Sequence, residues 1–461
     1  MNDHDVLLQQ LNKEEQQDFE ILAYHLIFLG WESQLSFAAF AQLLNDHTSL
    51  AVDNNYAERK LKKFAQVGLI EIKRNQTSTN GERGRRLANT IILKSFAYKG
   101  ILLTGVVPLD SILYIKRKAD ERCHYELTSA RERNQSVPFI RLKGAKGIGK
   151  SSLLERIGNF LEKERKEKVV RIDLGTDAFN SSTFTDIEEL FHSFTKEVKE
   201  AFAKLIPGLR PPDLNLKDLG VWDKNKAPGK NCTDYLEEHV FQKIDKTPKT
   251  LLIDGIDLIL GKPTQDDFLL VLRTWSETKM KLTVNNTKVI WPSIVIAYST
   301  EPYPDAKFQG SPLQNVGTSI ELDEFTPESI LNLTKLYGLT WNSKDVRDLI
   351  QFVESRPSLI QIALYQISQA NISLEQLEEE AVKITGPFSD YLLKYLKILQ
   401  DPENEKLKDC FQNILQGKDS DDIFSKYQLE KIGLIRCGKN KEEVSCELYR
   451  RFFEKNLDFK S

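Results

Sequence analysis

Apolar residues in the middle of this chain fall into short runs, and segments with helical spacing separate one run from the next. Apolar runs of strand length predict buried strands, and the amphipathic segments between them predict crossover helices. Strands that are joined by crossover helices run parallel, and such crossovers are right-handed. We therefore predict an α/β fold with a parallel sheet in three layers. The predicted strands are 138–143, 169–173, 249–254, 293–300 and 318–322.

The first hundred residues follow a different order, in which helical spacing comes first and strand-like segments come last. The helices are expected within 11–30, over 37–44 and from Asn54, and the strands over 69–72 and 90–93. Three helices followed by a hairpin predict a winged helix-turn-helix domain over residues 1–100. We assign 101–135 as a linker.

Beyond residue 325 the pattern becomes helical again. A hydroxyl N-cap, a proline and an early acid at 326–328 predict a helix over 327–337. A second helix is expected over 358–367, so that 326–390 forms a small helical bundle. Residues 391–461 combine helices with a predicted hairpin. This order indicates a second winged helix, which we interpret as a packing module and not as a DNA reader.

Composition indicates a globular protein of about three domains. The 461 residues are 40% hydrophobic and 28% charged, and no run of 18 apolar residues occurs. The start Met-Asn-Asp-His-Asp does not have the form of a secretion signal, so we expect a cytoplasmic protein with no membrane contact. The five cysteines are scattered and no histidine follows His239. These spacings argue against a zinc site and against a disulfide framework.

The stretch from Gly144 to Ser151 matches the pattern G-x-x-x-x-G-K-[ST] and lies between a predicted strand and a predicted helix. In such a P-loop, successive backbone N–H groups point at phosphate oxygens, and the helix N-terminus adds partial positive charge. We expect Lys150 to reach the outer phosphates and the Ser151 hydroxyl to ligate Mg²⁺. The sequence therefore predicts binding of ATP or ADP with Mg²⁺. The predicted nucleotide-binding residues are Gly144, Ala145, Lys146, Gly147, Ile148, Gly149, Lys150, Ser151 and Ser152.

A second nucleotide-binding signature follows the P-loop. The predicted strand 249–254 is hydrophobic and ends in an acid, which is the form of a Walker B strand. Asp254 would lie at the same edge of the sheet as the P-loop and hold Mg²⁺ through Ser151 and water. The next residue is Gly255, where a glutamate that polarises the attacking water is usual. Asp257 is a candidate substitute, although its position is a poor geometric match. We therefore expect weak hydrolysis, or none without a partner.

Two hydroxyl side chains end the predicted strand 293–300. Polar residues at such a strand end often sense the terminal phosphate, which makes Ser299 and Thr300 candidates. An ordinary strand end with hydroxyl capping explains them equally well. With Asp254 and Asp257 they complete the candidate catalytic residues.

Further motifs accompany the P-loop in a fixed order. They are Val107-Pro-Leu-Asp-Ser111, Tyr114-Ile-Lys-Arg117, Cys232-Thr-Asp-Tyr-Leu-Glu237, Leu272-Arg-Thr-Trp275, Ser299-Thr-Glu301, Pro312-Leu-Gln-Asn-Val-Gly317, Glu321-Leu-Asp-Glu-Phe-Thr326 and Cys446-Glu-Leu-Tyr-Arg450. With these motifs, residues from about 105 to 456 resemble the bacterial AAA-like domain proteins, which are P-loop ATPases related to the STAND signalling class.

The resemblance implies a switch in which three parts clamp the nucleotide. These parts are a P-loop domain over 136–325, a helical lid over 326–390 and a winged-helix domain over 391–461. In related switches a Gly-x-Pro stretch of the lid lies against the adenine, and Ser355-Arg-Pro357 has that place here, which implies a nucleotide contact by Pro357. This sequence departs from the family pattern in two places. The family has two acidic residues at the end of the Walker B strand, and Gly255 replaces the second of them. Many STAND switches also use a histidine of the winged helix to sense the bound diphosphate. No histidine can fill that role here, and an arginine is one candidate replacement.

Positive charge is concentrated in the first domain. From residue 57 to residue 86 there are nine Lys or Arg and three Glu, a net charge of +6, whereas the whole chain has −3. This charge falls on the third helix and the wing, where a winged helix meets phosphates. We therefore predict double-stranded DNA as a partner and a nucleotide-gated DNA-binding regulator as the function. The predicted DNA-binding residues are Arg59, Lys60, Lys62, Lys63, Arg83, Arg85 and Arg86.

Two other functions are compatible with the same pattern. In the first, the N-terminal domain recruits an effector protein, and the basic helix is a solvated surface. In the second, the chain is an oligomeric AAA+-type ATPase that acts on DNA, which Gly255 and the absence of a clear arginine finger disfavour.

Overall fold

The computed structural model describes residues 7–28, 32–47, 52–73, 89–94, 96, 102–132, 137–205, 222–223, 225–244, 247–279, 291–299, 313, 315–437 and 442–457. The strands are β1 (Glu32–Leu35), β2 (Ile70–Lys73), β3 (Asn89–Leu93), β4 (Phe139–Gly144), β5 (Lys168–Asp173), β6 (Lys249–Asp254), β7 (Ser293–Ser299), β8 (Thr318–Glu321), β9 (Ile435–Cys437) and β10 (Glu442–Val444). The helices are α1 (Lys13–Phe28), α2 (Phe37–His47), α3 (Asn54–Gln66), α4 (Lys118–Glu132), α5 (Lys150–Lys163), α6 (Ile187–Lys204), α7 (Pro228–Tyr235), α8 (Gln265–Thr274), α9 (Pro327–Leu336), α10 (Ser343–Val353), α11 (Pro357–Ala370), α12 (Leu374–Ala381), α13 (Ser389–Gln400), α14 (Glu405–Leu415), α15 (Ile423–Lys431) and α16 (Glu447–Asn456).

A five-stranded parallel sheet lies at the centre of the chain, in the order β5-β6-β7-β4-β8. The five strands that the apolar runs predict are all present. β7 is buried along its whole length and β6 along all but its last residue, which explains why both appear in the sequence as continuous apolar runs. β7 separates β4 from β6, so the polar ends of these three strands lie side by side.

Helices cover both faces of this sheet, as the prediction of three layers requires. Alternate strand residues contribute to two different cores, because successive side chains of a strand point to opposite faces. Ile253 and Ile296 pack with α6, α7 and α8 on one face, whereas Leu252 and Val295 pack with α4 and α5 on the other. The α/β prediction is therefore confirmed.

Part of the segment 101–135, which we predicted to be a linker, packs on the central sheet. It contains α4, and Ala119, Cys123 and Leu127 of this helix are buried against the sheet. The sequence of α4 has many charged residues and a weak apolar stripe. From the sequence alone it therefore has the pattern of a solvated connection, and only the structure shows the surface against which it packs. The helix α4 therefore packs with the central sheet and does not form a solvated connection.

The N-terminal elements form a unit with its own core. The three predicted helices and two predicted strands are present, and β2 pairs with β3 in antiparallel fashion. The sequence did not predict β1, which pairs with the other side of β3. Its sequence, Glu-Ser-Gln-Leu, has a single apolar residue and therefore no strand-like run. The loop between β2 and β3, with most of the predicted wing, lies outside the described residues.

The described residues from 326 onwards are helical apart from turns and the antiparallel pair β9–β10. The two helices predicted in the lid correspond to α9 and α11. Two further helices lie there, α10 and α12, and each begins with a capping box, at Asn342 and at Ser373. All of these elements and α13 to α16 contribute to one continuous apolar core.

Candidate functional site

The P-loop connects the end of β4 to the start of α5. Gly147 and Gly149 have φ of +78° and +98°, in the left-handed region that favours glycine. Lys150 Nζ donates hydrogen bonds to the carbonyl oxygens of Gly144 and Ala145, each at 2.9 Å. The ammonium is thus held against the loop at the N-terminus of a 14-residue helix. A helix N-terminus with adjacent backbone N–H groups and a lysine is suited to an anionic phosphate.

Asp254 ends β6 and lies next to the P-loop serine. The Ser151 hydroxyl hydrogen-bonds to the Asp254 carboxylate, and Gly255 N–H donates to Asp254 Oδ1 at 2.9 Å. Burial raises the pKa of Asp254; these hydrogen bonds oppose the shift, and the nearby charges of Asp173 and Asp257 add to it. A hydroxyl and a carboxylate in contact are the two protein groups that Mg²⁺ uses beside bound phosphates.

Ser299 is the last residue of β7 and pairs in register with Gly144, the first residue of the P-loop. Its side chain is 5% exposed, and its hydroxyl has no hydrogen-bond partner among the described residues. Its backbone N–H donates to Asp257 Oδ1 at 3.2 Å. Asp257 therefore holds the end of this strand in place. Thr300 lies outside the described residues.

The helical lid contacts the P-loop directly. Ser358, in the first turn of α11, donates its backbone N–H to the carbonyl oxygen of Gly147 at 3.2 Å. The Ser358 side chain also occupies the space where a Cβ on Gly147 would lie. Pro357 is the first residue of this helix and is buried. The start of α11, which the resemblance placed near the base, thus touches the phosphate loop.

The structure adds Arg117 to the site, which the sequence motifs did not single out as a site residue. Its Nη1 donates to the carbonyl oxygens of Ile148 at 2.6 Å and Asp323 at 3.1 Å. The guanidinium therefore bridges the P-loop and the end of the sheet at Asp323. Arg117 is part of the motif Tyr114-Ile-Lys-Arg117 that carries the resemblance. Its place in this motif is the signal by which the sequence could have identified it as a site residue.

Ser152 differs from the other residues of the loop. Its Oγ accepts a hydrogen bond from the backbone N–H of Val107 at 2.9 Å, and the side chain is 2% exposed. It therefore fastens the segment before α4 to α5, and its hydroxyl is turned to that contact. Arg156, one turn along α5, strengthens the same junction by donating to the carbonyl oxygens of Val107 and Pro108.

Of the basic residues predicted to meet DNA, four lie on α3. Arg59 is exposed, and Lys62 is exposed with an ion pair to Glu58. Lys63 is half-buried. Lys60 is a correction to the expectation that it faces solvent: its side chain is 12% exposed and lies 3.4 Å from Glu14 and 3.3 Å from Asp18.

The remaining three, Arg83, Arg85 and Arg86, lie outside the described residues. Nothing in the structure therefore bears on the wing part of the predicted DNA surface.

Among the described residues, no group of three or more His, Cys, Asp or Glu side chains is arranged to hold a metal ion. No helix in the described ranges is long and apolar enough to span a bilayer.

Comparisons with known proteins give the family. A sequence profile described as AAA-like domain matches residues 102–455. No curated protein matches the chain.

Similar solved structures include a Walker-type ATPase of Pyrococcus abyssi, at 11% identity and a TM-score of 0.45, covering 74% of this chain and 96% of that one. The Holliday junction branch migration motor RuvB of Thermotoga maritima has 12% identity and a TM-score of 0.36, with 77% and 97% covered. DnaA of Aquifex aeolicus has 15% identity and a TM-score of 0.32, with 70% and 79% covered. The profile spans more than half of the sequence, so the chain belongs to the AAA-like domain family and has a P-loop ATPase fold.

Proposed function

We propose that this protein is an ATP-binding switch of the STAND type that binds duplex DNA through its N-terminal domain and hydrolyses ATP weakly. The observation that carries the proposal is the contact between the lid and the phosphate loop, from Ser358 to Gly147. A ligand in the P-loop adjoins the first turn of α11, so its presence changes the environment of the lid. A switch requires this kind of differential contact.

The nucleotide site is assembled from four segments that the fold brings together. The backbone of residues 144–149 surrounds the β- and γ-phosphates, and Lys150 leaves the loop carbonyls to pair with them. Ser151 and Asp254 hold Mg²⁺, which supplies charge compensation when bound. Ser299 gives a hydroxyl beside the terminal phosphate, and Pro357 borders the base.

The lid is connected to the C-terminal helices through a buried arginine. Arg356 precedes Pro357, and its guanidinium reaches the hydroxyl of Tyr391 and, at 3.5 Å, that of Tyr395, both on α13. Tyr449 on α16 lies 3.3 Å from the Tyr391 hydroxyl. A displacement of the α11 N-terminus therefore acts on α13 and α16. These contacts support a role for the C-terminal domain, which we propose to be a winged helix, in the switch.

The DNA-binding part of the proposal rests on charge. The net +6 between residues 57 and 86 leaves −9 for the rest of a chain whose total is −3. Exposed Arg59 and Lys62 lie on one helix that precedes the β2–β3 pair, as in a recognition helix before a wing. Recruitment of an effector protein by the same domain is the alternative. Lys60 pairs with carboxylates, so the surface that would meet DNA phosphates has one positive charge fewer, which weakens the case for DNA.

Weak hydrolysis follows from Gly255. Gly255 follows Asp254 and has no side chain, so this residue itself supplies no carboxylate to polarise water. The same observation disfavours the third candidate, an oligomeric motor, since a motor needs rapid turnover.

Calorimetric titration of the full-length chain with ATP and Mg²⁺ tests the nucleotide site. We expect Lys150→Ala to abolish binding, because removal of the ammonium leaves phosphate charge uncompensated in the loop. Lys163→Ala is the matched control, since Lys163 is exposed at the opposite end of the same helix. Wild-type affinity in the Lys150 variant would show that the P-loop does not hold the nucleotide.

Electrophoretic mobility shifts with duplex DNA, with and without ATP, separate the three functions. A regulator binds duplex DNA with an affinity that depends on ATP. An effector-recruiting switch binds ATP but not duplex DNA at low salt, with or without the nucleotide. A motor hydrolyses ATP at a rate that DNA stimulates.

A further inference from the structure

Gly255 lacks a side chain, but the space beside it contains a carboxylate. Its φ is +76°, and a Cβ at this position would lie 3.5 Å from Asp173 Oδ1. Asp173 is the last residue of β5, the strand next to β6, and it pairs in register with Asp254. The neighbouring strand thus brings a carboxylate to the place where the residue after Asp254 would begin its side chain.

The Asp173 carboxylate is held in a defined orientation and is open to solvent. Its Oδ1 accepts the backbone N–H of Gly175 at 2.8 Å, which fixes the side chain in the turn that follows β5. The residue is exposed, whereas the neighbouring Asp254 is largely enclosed. Water therefore reaches Asp173 at the same edge of the sheet where the P-loop ends.

A second observation indicates that a ligand belongs at this edge. Ser299 is 5% exposed and, within the described part of the chain, its hydroxyl has no hydrogen-bond partner. A buried hydroxyl without a partner is costly unless a bound group completes it. Its register with Gly144 places it beside the first residue of the phosphate loop.

Asp257 is less suited to act on water than Asp173. Its Oδ1 already accepts the backbone N–H of Ser299 at 3.2 Å, so the carboxylate fixes the end of β7. Asp257 is therefore a positioning residue for Ser299. Among the described residues, this leaves Asp173 as the exposed carboxylate that adjoins Asp254.

We propose that Asp173 is the catalytic base that activates the attacking water, in place of the carboxylate that Gly255 lacks. The inference rests on the proposed function, since it requires a triphosphate in the P-loop. The water oxygen forms a bond to the terminal phosphorus, and the bond from that phosphorus to the β,γ-bridging oxygen breaks with its electron pair on the diphosphate. The water proton passes to Asp173 and then to solvent. The balance is one triphosphate and one water consumed, and one diphosphate and one phosphate formed.

Asp173→Asn is the variant that tests this role in the full-length chain. Asparagine keeps the oxygen that accepts the Gly175 N–H, so the turn after β5 is preserved. We expect hydrolysis to fall about 100-fold, within the usual contribution of a general base. The calorimetric dissociation constant for ATP should remain within about twofold of wild type, because the side chain is not a phosphate ligand.

A binding measurement complements the activity. ADP with aluminium fluoride mimics the terminal phosphate with water in line, and Asp173→Asn should bind it at least about tenfold more weakly than wild type, since transition-state analogues report groups that act only on the reacting atoms. Asp177→Asn is the control, because Asp177 is an exposed aspartate in the same loop.

The outcomes distinguish this inference from the proposed function. Wild-type hydrolysis and wild-type aluminium fluoride binding in Asp173→Asn overturn the role of Asp173 and leave nucleotide binding intact. Wild-type protein that binds ATP, but neither hydrolyses it nor binds the fluoride complex, overturns it as well. Failure of the wild-type protein to bind ATP removes the proposed function itself.

Discussion

Gly147 shows how a single residue connects the phosphate loop to the lid. Its φ of +78° favours glycine, and a Cβ would lie 2.9 Å from the Cβ of Ser358. Two separate requirements therefore keep a side chain out of this position. One is local and concerns the backbone, and the other is tertiary and concerns α11.

A pair of alanine variants separates these two requirements. Gly147→Ala should lose about 1–2 kcal/mol of stability to the left-handed backbone and should also displace the lid, which weakens ATP binding. Gly105→Ala has the same kind of strain at φ +91°, but no atom of the described residues lies within 4 Å of its Cβ. Thermal unfolding and calorimetry of both variants measure the difference. Equal ATP affinities would contradict a functional contact between the lid and the loop.

The pH dependence of metal binding is a second prediction at the residue scale. Burial raises the pKa of Asp254, and Mg²⁺ requires the ionised carboxylate. Acidification therefore protonates Asp254 at a higher pH than an ordinary aspartate, and the Mg²⁺-dependent part of the ATP affinity should disappear as pH falls through that raised pKa. Titrations at several pH values with and without Mg²⁺ measure this change. Asp254→Asn should show little Mg²⁺ dependence at any pH, and a full dependence in that variant would exclude Asp254 as a ligand.

At the scale of elements, the α11 N-terminus is the junction between the nucleotide domain and the C-terminal helices. Arg356 is its N-cap residue and is 3% exposed, with Glu354 at 3.6 Å and two tyrosine hydroxyls within reach. An arginine enclosed in this way is stabilising only while its partners remain. The helix start is therefore positioned by charge and hydrogen bonds from two elements, the end of α10 and α13.

Removing this charge should be costly. Arg356→Met leaves the Glu354 side chain, which is 16% exposed, without its cation, and we expect a decrease of about 3 kcal/mol in the free energy of unfolding. Arg347→Met is the control, since Arg347 is exposed on α10 and should change stability by less than about 0.5 kcal/mol. Urea denaturation measures both. Similar effects in the two variants would show that the Arg356 cluster does not stabilise the junction.

For the whole molecule, the separation of basic and acidic charge between domains predicts a salt-dependent interaction with DNA. Replacing Arg83, Arg85 and Arg86 by alanine should weaken binding to every duplex sequence, and removal of each arginine–phosphate ion pair should lower the log–log salt slope by about 0.9. ATP affinity should be unchanged, because the P-loop lies in another domain. Mobility shifts over a salt series measure the slope. The control replaces the exposed residues Lys163, Lys262 and Lys418 by alanine, and an equal fall in slope there would indicate a diffuse charge effect.

The sequence by itself predicted the central sheet, the P-loop and an aspartate at the end of β6. These features depend on short segments: a buried strand is a continuous apolar run, and the loop needs its glycines and lysine at fixed spacing. The same local logic found α9 and α11 through their caps and prolines. It missed β1, which has one apolar residue, and it could not identify α4 as part of the domain.

Only the tertiary structure decided which residues of distant segments come together. The contact of Ser358 with Gly147, the placement of Arg117 on the loop, the burial of Lys60 beside Glu14 and the approach of Asp173 to Gly255 all join separate segments. Each is set by how helices and strands pack, and packing is not encoded in the spacing along one segment. The linear pattern therefore predicted the phosphate loop, and the fold decided which side chains lie beside it.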